Sequence, residues 1–352
     1  MPPGVGIYAP RGGTRQSTMT MENSESAKFW ARRLAPYRER SDWIALRQLA
    51  ETLVPFAALL WLMLRAYAWS PWATYALLPL TSLFLVRVFV LQHDCGHGSF
   101  FRTRWANEVV GSLLGVLTFT PYHYWKRTHA IHHATSGNLD RREFGDIDTL
   151  TVAEYRALSP LRRLGYRFYR HPFVFLVIGA IYQFVLKHRL PLDAPWSWRR
   201  EWGSVIFTNV GIAAMVVGIG SSFGYSMVPL VLLPVNVLAA VGGIWLFYVQ
   251  HQFRDSYWRH MPEWDFHTAC LSGSSYYDLP APLHWMTANI SIHHLHHLAS
   301  KIPNYRLQQA FREVPELQKV KRLSLRESLS CARLKLWDEE RQEMVGWDAV
   351  GA

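Results

Sequence analysis

Residues 72–97 read WATYALLPLTSLFLVRVFVLQHDCGH. The stretch is apolar from Trp72 to about Gln92, close to the ~20 residues an α-helix needs to cross a hydrocarbon core. It then runs without a break into His93-Asp94-Cys95-Gly96-His97. A helix continued through this pentapeptide sets His93 and His97 one turn apart on one face. A span that delivers two imidazoles to a membrane surface is the reading from which the rest follows.

Upstream, a second apolar run covers residues 50–69 and includes LVPFAALLWLML. Ser70-Pro71 is a natural turn between the two runs, which together predict a transmembrane hairpin. A second hairpin is predicted from the runs 204–222 and 226–248, linked through Phe223 to Tyr225 around Gly224. The predicted fold is all-α: a polytopic membrane protein with four transmembrane helices in two hairpins and a cytosolic helical cap holding the metal site. Both tight links lack Lys and Arg, whereas residues 1–48 hold eight. By the positive-inside rule both termini and the long middle loop face the cytosol. Arg65, near a helix end, is placed to snorkel. Arg87, six residues before His93, is expected to face the protein interior. The shorter apolar stretches 109–120 and 172–186 are read as half-inserted or interfacial helices, with a fifth and sixth span as the alternative. The expected divisions are a polar N-terminal tail over 1–42, a membrane and metal domain over 43–310, and a charged helical C-terminal segment over 311–352.

Bulk composition is consistent with this. Half of the 352 residues are hydrophobic and 14% are aromatic, as where helices meet a membrane–water interface. The only cysteines, Cys95, Cys270 and Cys331, are widely spaced and odd in number, against a disulfide framework or a thiolate zinc site. The formal charge of +11 points to anionic lipid or an acidic protein. No nucleic-acid-binding motif is present, so no nucleic-acid partner is expected. The first 42 residues carry no apolar stretch of the secretory-signal kind.

Sixteen histidines occur, and three tight clusters stand out. The first is His93 and His97, an HxxxH. The second is His129, His132 and His133, an HxxHH. The third, His293-His294-Leu295-His296-His297, contains another HxxHH. On a helix these spacings point two, three and three imidazoles to one side. Neutral imidazole ligates iron, zinc, copper or nickel, and eight are too many for one ion but suit two. All three clusters fall on the same predicted membrane face. His251, ending the fourth run, is the candidate ninth ligand. Asp94, Asp146 and His294 are read as residues that support the ligands, as carboxylates often hold the far imidazole N–H. Phe100, Phe119, Tyr122, Trp125 and Trp285 flank the clusters and are candidates to line a substrate site. His123, His171, His188, His260, His267 and His284 are expected to be structural or solvated.

The segments HDCGHGSF (93–100), WKRTHAIHHATSG (125–137) and HHLHHLASKIPNYRL (293–307), with YVQHQFRDSYW (248–258) and GSSYYDLP (273–280), resemble the membrane fatty-acid desaturases. The resemblance is to the Δ12/omega-6 acyl-lipid branch and its bacterial relatives, over roughly residues 45–345. It implies a non-haem di-iron centre with the eight box histidines as ligands, and less directly His251. It also implies O2 as oxidant and two electrons from an external donor. No haem-attachment signature or cysteine cluster is present, so the donor is expected to be a separate protein such as ferredoxin. Two rival readings stay open: a membrane di-iron hydroxylase of lipids or hydrocarbons, and a membrane metal transporter or metal-binding protein. Transport predicts ionisable groups lining a path through the spans, whereas these histidines gather outside them.

Overall fold

The computed structural model describes residues 25–142, 145 and 147–351. The chain is mostly helical. Among the described residues four helices are long and apolar enough to cross a membrane: Asp42–Ala66, Pro71–His97, Arg199–Phe223 and Val228–His251. The second and third contain the runs 72–92 and 204–222 read from the sequence, while the first ends at Ala66, short of 69, and the fourth begins at Val228 rather than 226.

Local chemistry sets the ends. Ser41 caps the first helix by accepting from the Ile44 N–H, and Asp42 complements the helix dipole. Ser70 caps the second, with Pro71 at its first position, where its missing N–H costs nothing. That helix runs unbroken through the HDCGH box and stops at Gly98, whose φ of 63° is a left-handed termination. The first box is therefore a rigid extension of a span.

The second helix is the central one. In its apolar window 56% is buried inside the protein, against 22% for the first and third helices. Thr81 Oγ1 reaches the Met63 sulfur of the first helix at 3.2 Å, and Ser82 Oγ donates to the Val235 carbonyl of the fourth at 3.1 Å. The outward faces are apolar, as for helices lying in lipid. Trp69 and Trp72, 90% and 83% exposed, mark the turn of the first helix pair. Trp43 and Trp105 are exposed beside its polar end. Tryptophan at both ends of an apolar band is the expected interfacial placement. Arg87 is 1% exposed, as anticipated. Its Nε donates to Thr52 Oγ1 at 2.9 Å, and its guanidinium lies 4.0 Å over the Trp285 ring. Arg65 is exposed.

The two short apolar stretches behave differently. Residues 104–117 form a helix that buries Asn107, Gly111, Leu114 and Gly115 and exposes Trp105, Val109 and Leu113. Residues 174–186 wind mostly as π-helical turns and meet Pro160–Tyr169 at a bend of 69°, so this pair counts as a broken span or a re-entrant element.

The C-terminal segment departs from the helical expectation. After Asn304–Glu313 the chain forms a strand at Arg322–Ser324, paired in parallel with Tyr276–Asp278. It ends in an antiparallel hairpin of Leu336–Asp338 and Glu343–Val345. The apolar pairs Leu336-Trp337 and Met344-Val345, separated by a polar turn, bury as two short strands, Trp337 and Met344 against Leu139 and Trp258, Leu336 and Val345 against Tyr155 and Tyr166. Charge pattern alone hid this, because the turn residues are the same types that decorate exposed helices.

Candidate metal centre

Four structural units converge on one end of the second helix. His93 and His97 come from its last turn and His251 from the last turn of the fourth span. His129, His132 and His133 ride on the helix Tyr122–Thr135, and the third box on the short helix His293–Leu298. Ala288 and Asn289, at φ 44° and 58°, turn the chain just before that helix. All nine histidines singled out from the sequence are brought together.

They form two sets rather than three boxes. His93, His97, His129, His133 and His296 make one, and His132, His251, His293 and His297 the other. Within each set the ligand nitrogens lie within 4.8 Å of one another. The second and third boxes are therefore each divided between the sets.

The nitrogen geometry fits metal ions. Nε2 of His129 lies 3.0 Å from Nε2 of both His93 and His133, and His133 is 3.1 Å from His296. In the other set Nε2 of His293 lies 2.9 Å from His251 and 3.1 Å from His297. Two imidazoles at right angles on an ion ~2.1 Å away stand about 3.0 Å apart. Hydrogen bonding does not account for the pattern. The single Nε2 site of His129 faces two neighbours, as does that of His293, and a neutral imidazole offers only one donor or one lone pair there. His97 Nε2 is buried with no hydrogen-bond partner among the described residues.

Electrostatics point the same way. Burial first, and then neighbouring imidazoles, hold His129, His133, His293, His296 and His297 well below the ordinary range of the group. At neutral pH these rings are uncharged, the form that ligates metal. His251 Nδ1 faces the Gly273 carbonyl at 3.3 Å, which leaves its Nε2 for the centre.

The supporting residues separate on inspection. Asp94, 1% exposed, places Oδ1 3.5 Å from His93 Nδ1, while Oδ2 accepts from the backbone N–H and side-chain amide of Asn304 at 2.7 and 2.9 Å. It thus ties the first box to the segment just after the third. Asp146 lies outside the described residues. His294 is fully buried and packs its ring against Tyr276 and Phe311, and burial pushes its imidazole down to about 3.

Of the aromatic residues singled out, Trp125 lies on a ligand, its ring stacked on His129 at 4.6 Å. Phe100 is fully buried against Phe101. Tyr122, also fully buried, donates to the Cys95 carbonyl at 2.7 Å. Phe119, at φ 56°, offers its carbonyl to His188 Nδ1 and to Arg189. Trp285 is half-exposed and carries the Arg87 guanidinium on its face. Two further aromatics lie near the centre: Phe247, 5.0 Å from both His132 and His251, and, one ring further out, Phe89, 5.4 Å from Trp125. The sequence held a signal for them. Phe89, Trp125 and Phe247 each stand four residues before a ligand, one helical turn back on the same face. Tyr122→Phe should cost about 1 kcal/mol in a denaturation midpoint measurement, the worth of one buried hydrogen bond. A change in product pattern without that destabilisation would give Tyr122 a substrate role instead.

Four apolar helices, two of them ending at a nine-histidine, two-set nitrogen site that could hold metal, define a helical protein of the membrane type. The Fatty acid desaturase family model matches residues 67–328. A fatty acid desaturase of Bacillus subtilis is 39% identical over 92% of this chain and 91% of its own length. An sn-1 oleoyl-lipid 12-desaturase of Synechocystis is 27% identical over 67% of this chain and 66% of its own. An sn-1 acyl-lipid omega-3 desaturase (ferredoxin) of Nostoc is 27% identical over 63% and 62%. The chain belongs to the fatty acid desaturase family and is an oxidoreductase of that kind.

Proposed function

We propose that this chain is an O2-dependent desaturase that introduces a double bond into an acyl chain held in a membrane glycerolipid. The observation that carries the reading is the division of nine imidazoles into a set of five and a set of four, which suits two adjacent iron ions. With iron bound, the pair would supply an oxidant strong enough for an unactivated methylene, which acid–base side chains cannot offer. The balance is one –CH2–CH2– unit, O2, two electrons and two protons giving –CH=CH– and two waters. The protein's own part is to hold the ligands and exclude water.

The relatives' names favour a lipid-bound acyl chain and, for the Nostoc enzyme, ferredoxin as donor. The aromatic residues one turn behind the ligands, Phe89, Trp125 and Phe247, are the wall we assign to the acyl chain near the centre. Phe100, Phe119, Tyr122 and Trp285 act behind or beside it. The charge distribution supports four spans in two hairpins, with both termini and the metal centre on the cytosolic side.

The test is the fatty-acid profile of a bacterial host expressing the chain with a ferredoxin system, read by gas chromatography and mass spectrometry. New unsaturated acids are expected with the wild type and none with His132→Ala. Hydroxylated acyl chains in their place would overturn desaturation in favour of hydroxylation. Unsaturated acids from both proteins would remove His132 from the centre.

A further inference from the structure

The two histidine sets differ in exposure. His132, His251, His293 and His297 are all buried, whereas His97, His129 and His133 of the five-histidine set are partly exposed. Small residues next to these ligands in the chain leave them uncovered: Gly98 is partly exposed, and Ala130 and Ala134 are exposed.

Cations surround it. Lys301 Nζ donates to the His97 carbonyl at 2.6 Å. Arg102 Nε donates to the Arg40 carbonyl at 2.9 Å. Arg40 and Lys126 both lie within Coulombic reach of Lys301. The nearby acids are already engaged. Glu39 is 3.8 Å from Arg306, and Asp42 accepts from the Arg102 backbone N–H at 2.8 Å. Glu108 is shared among Lys126, Arg200 and Arg104. The face over the exposed ligand edges is therefore cationic in surplus.

We propose that this face docks a small acidic one-electron carrier, with Arg40, Arg102, Lys126 and Lys301 steering it onto the partly exposed edges of His97, His129 and His133. The inference rests on the desaturase reading for the need for electrons. Two reduced carriers each give up one electron, and both electrons leave in the two waters formed with O2. Placement favours a carrier over an anionic lipid. Lys301 holds the His97 carbonyl and Lys126 stands three residues before His129 on the same helix, so cations adjoin the ligand edges, where electrons must arrive, and a lipid headgroup has no such need. Complementary charge of this sort acts mainly on encounter rate and is screened by salt.

The experiment uses the full chain, iron-loaded, in phosphatidylcholine nanodiscs, with an acidic two-iron ferredoxin as the probe. Its binding is measured directly, and its KM is measured in turnover. Wild-type affinity should fall about tenfold between low and moderately high salt. Arg102→Glu with Lys301→Glu should weaken binding by about tenfold or more. Arg326→Glu, on an exposed position of the helix Leu325–Cys331, should behave as wild type. A salt-independent affinity, or equal damage from Arg326→Glu, would overturn the proposal. So would a double variant that keeps the carrier but loses affinity for phosphatidylglycerol vesicles, since the patch would then be a lipid contact. Charge-dependent binding without unsaturated product would sink the desaturase reading and leave the docking face standing. Product formation with charge-independent binding would do the reverse.

Discussion

His132→Ala and His133→Ala are expected to strip different metal ions, although the two residues are neighbours in the chain. His133 belongs to the five-nitrogen set and His132 to the four-nitrogen set. Each substitution should lower bound iron from about two to about one per chain. Each should also cut desaturation by more than about 100-fold, since loss of a group that only supports a ligand already costs 10–100-fold. The four-nitrogen set has less to spare, so His132→Ala and His251→Ala should release their ion more completely than His133→Ala. Iron analysis with Mössbauer spectra of the two variants checks this, because the surviving ion should differ between them. The same residual spectrum in both would refute the division into two sets. Full iron retention in His251→Ala would remove that residue from the ligands.

The second large effect is expected at Asp94, which carries structure and site together. Asp94→Ala would leave two buried Asn304 donors without their acceptor, at about 1–3 kcal/mol each. Asn304 also accepts from the Gln48 side chain of the first span at 2.9 Å, and its carbonyl accepts from Asn289 at 3.2 Å. The loss therefore spreads to the turn that presents the third box. A total of about 3–5 kcal/mol in unfolding free energy is expected. Iron affinity should also fall by 10–100-fold as the carboxylate beside His93 is removed. Asp94→Asn keeps the shape and one acceptor oxygen, so it should lose less stability than metal affinity. Thermal unfolding and chelator competition measure the two effects separately. An Asp94→Ala protein as stable as wild type would show that the Asn304 contacts contribute nothing net.

Much of this molecule is legible in one dimension because lipid and metal both impose short-range patterns. A span must be apolar for about 20 residues, and helical ligands recur at three and four positions. Hence the four apolar helices, the eight box histidines and the inward-facing Arg87 are all readable from the chain. His251 was readable as a histidine closing a span at the right end. The terminal hairpin was not, because two strands of three residues carry too little pattern to outweigh their polar surroundings. Phe100 and Tyr122 looked like lining residues only because they sit near the boxes. The structure instead buries Phe100 against Phe101 and gives Tyr122 to the Cys95 carbonyl.

By itself, then, the sequence determined which residues are presented together and on which helical faces. Only the tertiary structure decided how they are shared. At about 100° per residue, positions i and i+4 differ by roughly 40°, while i+3 swings about 60° to the other side. Each HxxHH therefore offers a pair in one direction and a single ring in another. The packing of the box-two helix against the third box assigns His129 and His133 to the set completed by His296, and His132 to the set of His293 and His297. That complementary exchange depends on the relative placement of segments more than 150 residues apart, which no local pattern encodes.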